Sequence, residues 1–286
     1  MSVTCISVFR RVVFAMLLAA PMVAGAQELY VFSEPASNMP ARSLSFKLTA
    51  RYPESRQNNI FRQRYVPEVM FGLSKNWMLH FGAGFSDYYS SKVRHESLKM
   101  YLKYRFLSND EVHKHFRMAA FFEAAYSRND YLYQEFSFDG DLSGFSTGII
   151  ATKLVNRLAV SGTLAFMKGF TVTEVHHNMG DHHPANMWNY SLSAGYLVLP
   201  KEYTSYKQTN LNLYLELLGG QGAGHSHHYV DLAPAVQLIF NSTTKLNLGA
   251  RFQLSGNMTR AGERTYQVAV EHTILNAFKK RNATQH

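Results

Sequence analysis

Between Ser43 and Tyr52 the side chains change character at every residue. Leu44, Phe46, Leu48, Ala50 and Tyr52 hold one parity, and Ser43, Ser45, Lys47, Thr49 and Arg51 the other. A period of two kept up over such a length fits a strand with one apolar face and no helical spacing. The alternation returns at 97–107, where Leu98, Met100, Leu102, Tyr104 and Phe106 oppose Ser97, Lys99, Tyr101, Lys103 and Arg105. It returns again at 244–254, where Leu246, Leu248, Ala250, Phe252 and Leu254 oppose Lys245, Asn247, Gly249, Arg251 and Gln253. Less regular versions occupy 62–73, 76–86, 116–127, 144–153, 156–167, 187–198, 210–218, 229–240 and 264–276, so the pattern predicts twelve strands.

Strands of this kind suit a soluble sandwich or a barrel that spans a membrane. The connections separate the two. Those after the odd-numbered strands are long and those after the even-numbered strands mostly short. An up-and-down barrel has that alternation, with short periplasmic turns and long outer loops, whereas a Greek-key sandwich has no reason for it. Aromatic residues gather where two interfacial girdles belong. Tyr52, Tyr65, Phe85, Tyr126, Phe145, Phe166, Trp188 and Tyr229 fall at the outer rim, and Phe71, Trp77, Phe106, Phe116 and Phe240 at the inner one.

Residues 1–26 carry Arg10 and Arg11, an apolar run from Val12, and the small residues Ala24-Gly25-Ala26, the pattern of a cleaved secretory signal peptide. The single cysteine, Cys5, lies inside it, so the exported chain is expected to have no disulfide and no thiolate chemistry. The whole chain carries a formal charge of +9, yet its longest basic run is Lys279-Lys280-Arg281. That pattern favours anionic lipid or an anionic solute as partner and argues against nucleic acid.

Residues 43–278 therefore resemble a twelve-stranded Gram-negative outer-membrane β-barrel: all-β, antiparallel and up-and-down. The final strand, YQVAVEHTILNAF, resembles the C-terminal assembly signal of such proteins in closing on Phe278, although a tail, 279–286, follows it. The resemblance implies outer-membrane lipid around the chain and a channel or transport role for small solutes. The segment 27–42 is then a periplasmic extension or a lumen plug. Its opening, ELYVFSEPASNMPARS, together with histidine-rich outer loops, resembles barrels associated with copper or heavy-metal handling.

If the apolar parity faces lipid, the other lines the interior. It carries Lys47, Arg51, Arg62, Arg64, Lys99, Lys103, Arg105, Arg117, Arg157, Lys245 and Arg251 against Glu68, Glu123, Glu216, Asp231 and Glu271. Bases outnumber acids. Two readings follow: a filled structural barrel locked by charge networks, or a pore or cavity whose basic surplus attracts anions.

Two histidine clusters stand apart from the strands. His176, His177, Met179, Asp181, His182 and His183 lie in the connection after the seventh strand, and His225, His227 and His228 in that after the ninth. Imidazole with a carboxylate and a thioether suits copper, zinc or nickel, provided the two outer loops converge. The spacing matches no fixed zinc motif, so plain hydration is the alternative. A third class, a lipid hydrolase at the barrel wall, rests on His272, which sits on the lipid-facing parity of the last strand with Ser127–Asp130 and Glu271 as conceivable neighbours. Neither G-x-S-x-G nor H-x-S lies beside His272, which is followed by Thr273 and Ile274.

Overall fold

The computed structural model describes residues 30–54, 61–111, 114–129, 132–170, 185–202, 205, 207–224 and 226–278. Twelve antiparallel strands run in chain order: β1 (Leu44–Glu54), β2 (Arg64–Gly72), β3 (Trp77–Ser86), β4 (Arg94–Glu111), β5 (Lys114–Ser127), β6 (Gly144–Val155), β7 (Leu158–Gly169), β8 (Asn186–Leu199), β9 (Asn210–Gly222), β10 (His228–Phe240), β11 (Thr244–Gly256) and β12 (Arg264–Ile274). Each pairs with its sequence neighbours, and β1 also pairs with β12 from Leu44↔Ile274 to Glu54↔Arg264, which closes the barrel. Closure leaves no strand edge to satisfy, the condition for a sheet in hydrocarbon.

The strands lie where the alternation predicts them, and several run a few residues further, with β4 ending at Glu111 and β9 at Gly222. β4 starts at Arg94 and so takes in His95, whose ring lies 5.4 Å from that of Phe85. His115 belongs to β5.

The outward parity is predominantly apolar. Phe46, Leu48, Leu98, Ile149, Leu164, Leu192, Leu215 and Val270 are all exposed. Soluble monomers rarely present apolar patches of more than a few hundred Å², so an exterior of this kind matches hydrocarbon. Aromatic pairs border it: Trp77 stacks on Tyr104 at 4.5 Å at the inner end, and Phe166 meets Trp188 at 5.2 Å at the outer end. Tyr229 is a correction. It shares parity with the buried Asp231 and points inward, 5% exposed, so it is no part of the outer girdle.

Two segments fill the lumen. Residues 30–43, preceding β1, cross it as a strap, and residues 132–143 of the β5–β6 connection fold down into it from the outer end. Tyr30 and Val31 of the strap pack with Leu154, Ala159, Tyr214 and Ala235 of the wall. Phe136, Phe138 and Leu142 of the loop pack with Ala125, Met167, Met187, Tyr229 and Met258. Glycines in the wall make the seats. A Cβ on Gly72 would stand 2.0 Å from the Pro40 carbonyl oxygen of the strap, and one on Gly84 would stand 2.1 Å from the Asp139 carbonyl oxygen of the loop.

An outward charge tests the assigned faces. Leu215→Arg, in the middle of β9, should lower unfolding stability in lipid vesicles by about 2–4 kcal/mol, whereas Leu73→Arg in the inner turn should cost about 0–1 kcal/mol. Equal costs in urea titrations would contradict the assignment.

Candidate functional site in the barrel lumen

Charge in the lower wall is organised by strand register. Lys245 opposes Glu271, Glu271 opposes Lys47, Lys47 opposes Glu68, Glu68 opposes Gly82, and Gly82 opposes Lys99. Opposite charges side by side on neighbouring strands stabilise a sheet. Lys245 reaches Glu271 at 2.7 Å and Lys47 reaches Glu68 at 3.5 Å. Because Gly82 has no side chain, Lys99 stretches across it to Glu68 at 3.1 Å.

Higher up, the wall supplies bases without enough acids, and the β5–β6 loop supplies the remainder. Asp139 takes Lys99 at 2.7 Å and also Arg51. Asp141 accepts both terminal nitrogens of Arg64, at 2.9 and 2.5 Å, the bidentate geometry that suits a guanidinium. Glu135 takes Arg251 at 2.7 Å and Arg260 at 2.8 Å. Arg251 and Arg260 also share Asp231 and lie over the Tyr229 ring, at 5.1 and 4.5 Å. Glu96, fully buried, accepts from Ser86 and lies 3.7 Å from Arg64.

The strap is held from the wall. Glu216 accepts the successive backbone N–H groups of Val31, Phe32 and Ser33 at 3.0, 2.9 and 2.9 Å, a carboxylate seated in a nest of amides. Lys103, with no exposed side-chain surface, donates to the Pro35 and Ser37 carbonyls at 2.8 and 2.9 Å and pairs with Glu34 at 3.2 Å. Ala36 N–H donates to Thr152, and Arg117 donates to Ser37 while pairing with Asp110.

Between strap and loop lies a cavity of about 360 Å³. Its lining runs from Phe32 and Ser33 of the strap, past Glu123, Ser146 and Thr163 of the wall, to Ala261 and Gly262 in the outer β11–β12 connection.

Of the strand residues named from the alternation, Lys103, Glu216 and Asp231 are fully buried, and Lys47, Arg51, Arg64, Glu68, Lys99, Lys245 and Arg251 join the ion pairs above. Two basic residues sit outside the strands: Arg62 donates to the Asp87 carbonyl at 2.8 Å in the outer loops, and Arg157, in the β6–β7 turn, donates to the Pro200 carbonyl. Glu34, Glu135, Asp139 and Asp141 were missed, because loop and strap residues carry no periodic signal. They remove the apparent basic surplus of the wall. Glu96 was missed for another reason: the pairing of β3 with β4 shifts between Gly84 and Phe85, and the bulged residue turns inward out of parity.

Of the histidine clusters, His176, His177, Met179, Asp181, His182, His183 and His225 lie outside the described residues. His227 approaches Gln134 of the inward loop, with ring nitrogen and amide 3.3 Å apart. His228 lies 3.2 Å from the Ser226 carbonyl. Among the described residues no group of three His, Cys, Asp or Glu side chains is placed to hold a metal ion. His272 has its own partner, Thr244, at 2.8 Å on the outer surface near the inner rim. Glu271 points the other way, to Lys245, and Ser127 lies at the opposite end of the barrel, bonded to the Gly140 carbonyl. Among the described residues, therefore, neither Ser127 nor Glu271 is placed to act with His272.

No protein-family model matches the chain, and no curated protein matches it. Solved structures similar to it include a KdgM porin in complex with disordered oligogalacturonate, at 11% identity and TM-score 0.46, covering 80% of this chain and 98% of that one. Two proteins of Pseudomonas aeruginosa have lower TM-scores. OccK11 (OpdR) has 11% identity and TM-score 0.36, over 81% of this chain and 66% of that one. OpdK with vanillate has 8% identity and TM-score 0.38, over 79% of this chain and 64% of that one.

The loop carboxylates predict the acid limit of the closed lumen. Burial pushes the Glu135 carboxyl up, but Arg251 and Arg260 outweigh it and hold it at about 2 against an ordinary 4.5. Burial likewise opposes ionisation of Asp139, and Lys99 and Arg51 overcome it, leaving its carboxyl below its ordinary value. Groups with depressed values stabilise the fold above the ordinary value and lose that contribution as pH falls through the depressed one. Thermal stability of the refolded barrel should therefore drop between about pH 4.5 and 2 as these carboxylates take up protons. A fall centred near pH 6 would show that other groups set the limit.

Proposed function

We propose that this protein is an outer-membrane channel for small solutes, with a vestibule open toward the outside and a floor made by the strap at 30–43. The observation that carries this reading is the cavity itself, whose lining extends from the outer β11–β12 connection down to Phe32 and Ser33. Support for the membrane comes from the closed sheet with its apolar exterior. The signal-like 1–26 segment supports export. Most charged groups of the cavity wall are paired within the protein, so the lining presents no strong basic field.

The ion pairs suggest how the floor is held and what would release it. Three backbone amides of the strap depend on one carboxylate, Glu216, so a modest change there loosens the first residues of the strap without touching the wall pairs. A second reading, a structural barrel with a permanently filled lumen, is favoured by the density of strap and loop contacts.

Planar-bilayer conductance separates the two. The intact protein should show low, flickering conductance. Glu216→Ala, or deletion of residues 28–38, should raise single-channel conductance severalfold in preparations whose heat-modifiable gel mobility shows a folded barrel. A folded deletion variant that stays sealed to ions would sink the channel reading in favour of the structural one.

A further inference from the structure

Most charged groups around the cavity have a direct partner, and Glu123 does not. It lines the cavity from β5, flanked across the sheet by Tyr101 of β4 and Ser146 of β6. Among the described residues its carboxylate has no hydrogen bond or ion pair, and the base beside it, Lys99, is already held by Glu68 at 3.1 Å and Asp139 at 2.7 Å. A carboxylate drawn away from bulk water without a donor is costly, and a ligand that brings a charged donor recovers that cost.

The surroundings fix the chemistry of such a ligand. The cavity lining holds the acids Glu34, Glu123, Glu135, Asp139 and Asp141 against the bases Arg51, Arg64 and Arg251. Those three bases are each engaged by loop acids, so an anion would find no unengaged partner, while Glu123 is open to a cation. Next to Glu123 the rings of Tyr101 and Phe121 stack at 5.4 Å, and both line the cavity. Aromatic rings near a carboxylate favour an ammonium by electrostatics. Beyond them Ile150, Ala165 and Met167 give an apolar wall for the body of a molecule, and Gly148 makes room for the Phe121 ring, which a Cβ there would approach to 2.8 Å. The volume, about 360 Å³, falls within the range of small-molecule sites.

We infer that the mid-lumen cavity is a binding station for a small organic ammonium ion, its charged head on Glu123 beside Tyr101 and Phe121 and its apolar body against Ile150, Ala165 and Met167. This names a solute class for the channel reading. It requires only access from the outer rim, so binding and passage fail independently.

Calorimetric titration of the full exported chain, refolded in detergent micelles at neutral pH, tests it with three probes of one shape: 2-phenylethylammonium, 2-phenylethanol and phenylacetate. The ammonium should bind saturably at one site, at least roughly tenfold more tightly than the alcohol, with phenylacetate weakest. Glu123→Gln should lose that preference for the ammonium over the alcohol, and Glu123→Asp should keep it. The ranking of the three probes on the unaltered protein stands as a test even if Glu123→Gln does not fold. Phenylacetate binding as tightly as the ammonium, or a folded Glu123→Gln protein with unchanged ammonium affinity, would overturn the assignment. Ammonium binding by a protein that never conducts would leave the station in place and refute only the channel.

Discussion

A guanidinium enclosed in a barrel has to meet a carboxylate, and the outer half of this lumen encloses Arg51, Arg64, Arg251 and Arg260. The wall offers them Asp231 and Glu96. The rest comes from Glu135, Asp139 and Asp141 in the β5–β6 connection, which is why that loop folds inward instead of standing out in solvent. Removing one partner of such a pair leaves an uncompensated charge at a cost of about 3–5 kcal/mol. The loop is therefore part of the barrel's electrostatic structure as much as a stopper in its mouth.

The strap obeys a related constraint in backbone form. A chain crossing a lumen as irregular structure must satisfy its own amides and carbonyls, and here the wall does it: Glu216 and Thr152 accept strap N–H groups, while Lys103 and Gln267 donate to strap carbonyls. Gly72 lets the strap lie flat where it enters β1. Strap and loop leave the cavity between them, so the same contacts that close the lumen also shape its vacant part.

The strands were legible from the period of two, and with them the inward parity that carries Lys47, Glu68, Lys99, Glu216 and Arg251. The charge balance was not. Counting wall residues alone gives a basic interior, because the compensating Glu34, Asp139 and Asp141 sit in segments whose side chains follow no period and whose path is set by tertiary contacts. Glu96 escaped for a local reason, a bulge that breaks parity, and Tyr229 was misplaced because aromatic identity suggested a girdle where parity already pointed inward. Glu123 was visible as an inward acid; that it lacks a partner emerges only when the loop and strap are in place around it.

The central claim is that strap and loop are built into the folded barrel, and amide hydrogen exchange in lipid bilayers tests it most directly. The amides of Val31, Phe32 and Ser33, seated on Glu216, and of Gln134 and Glu135, bonded to the Thr259 carbonyl, should exchange about as slowly as those of the adjoining strands. Exchange of these amides at the rate of an unstructured chain, while the strands stay protected, would contradict it.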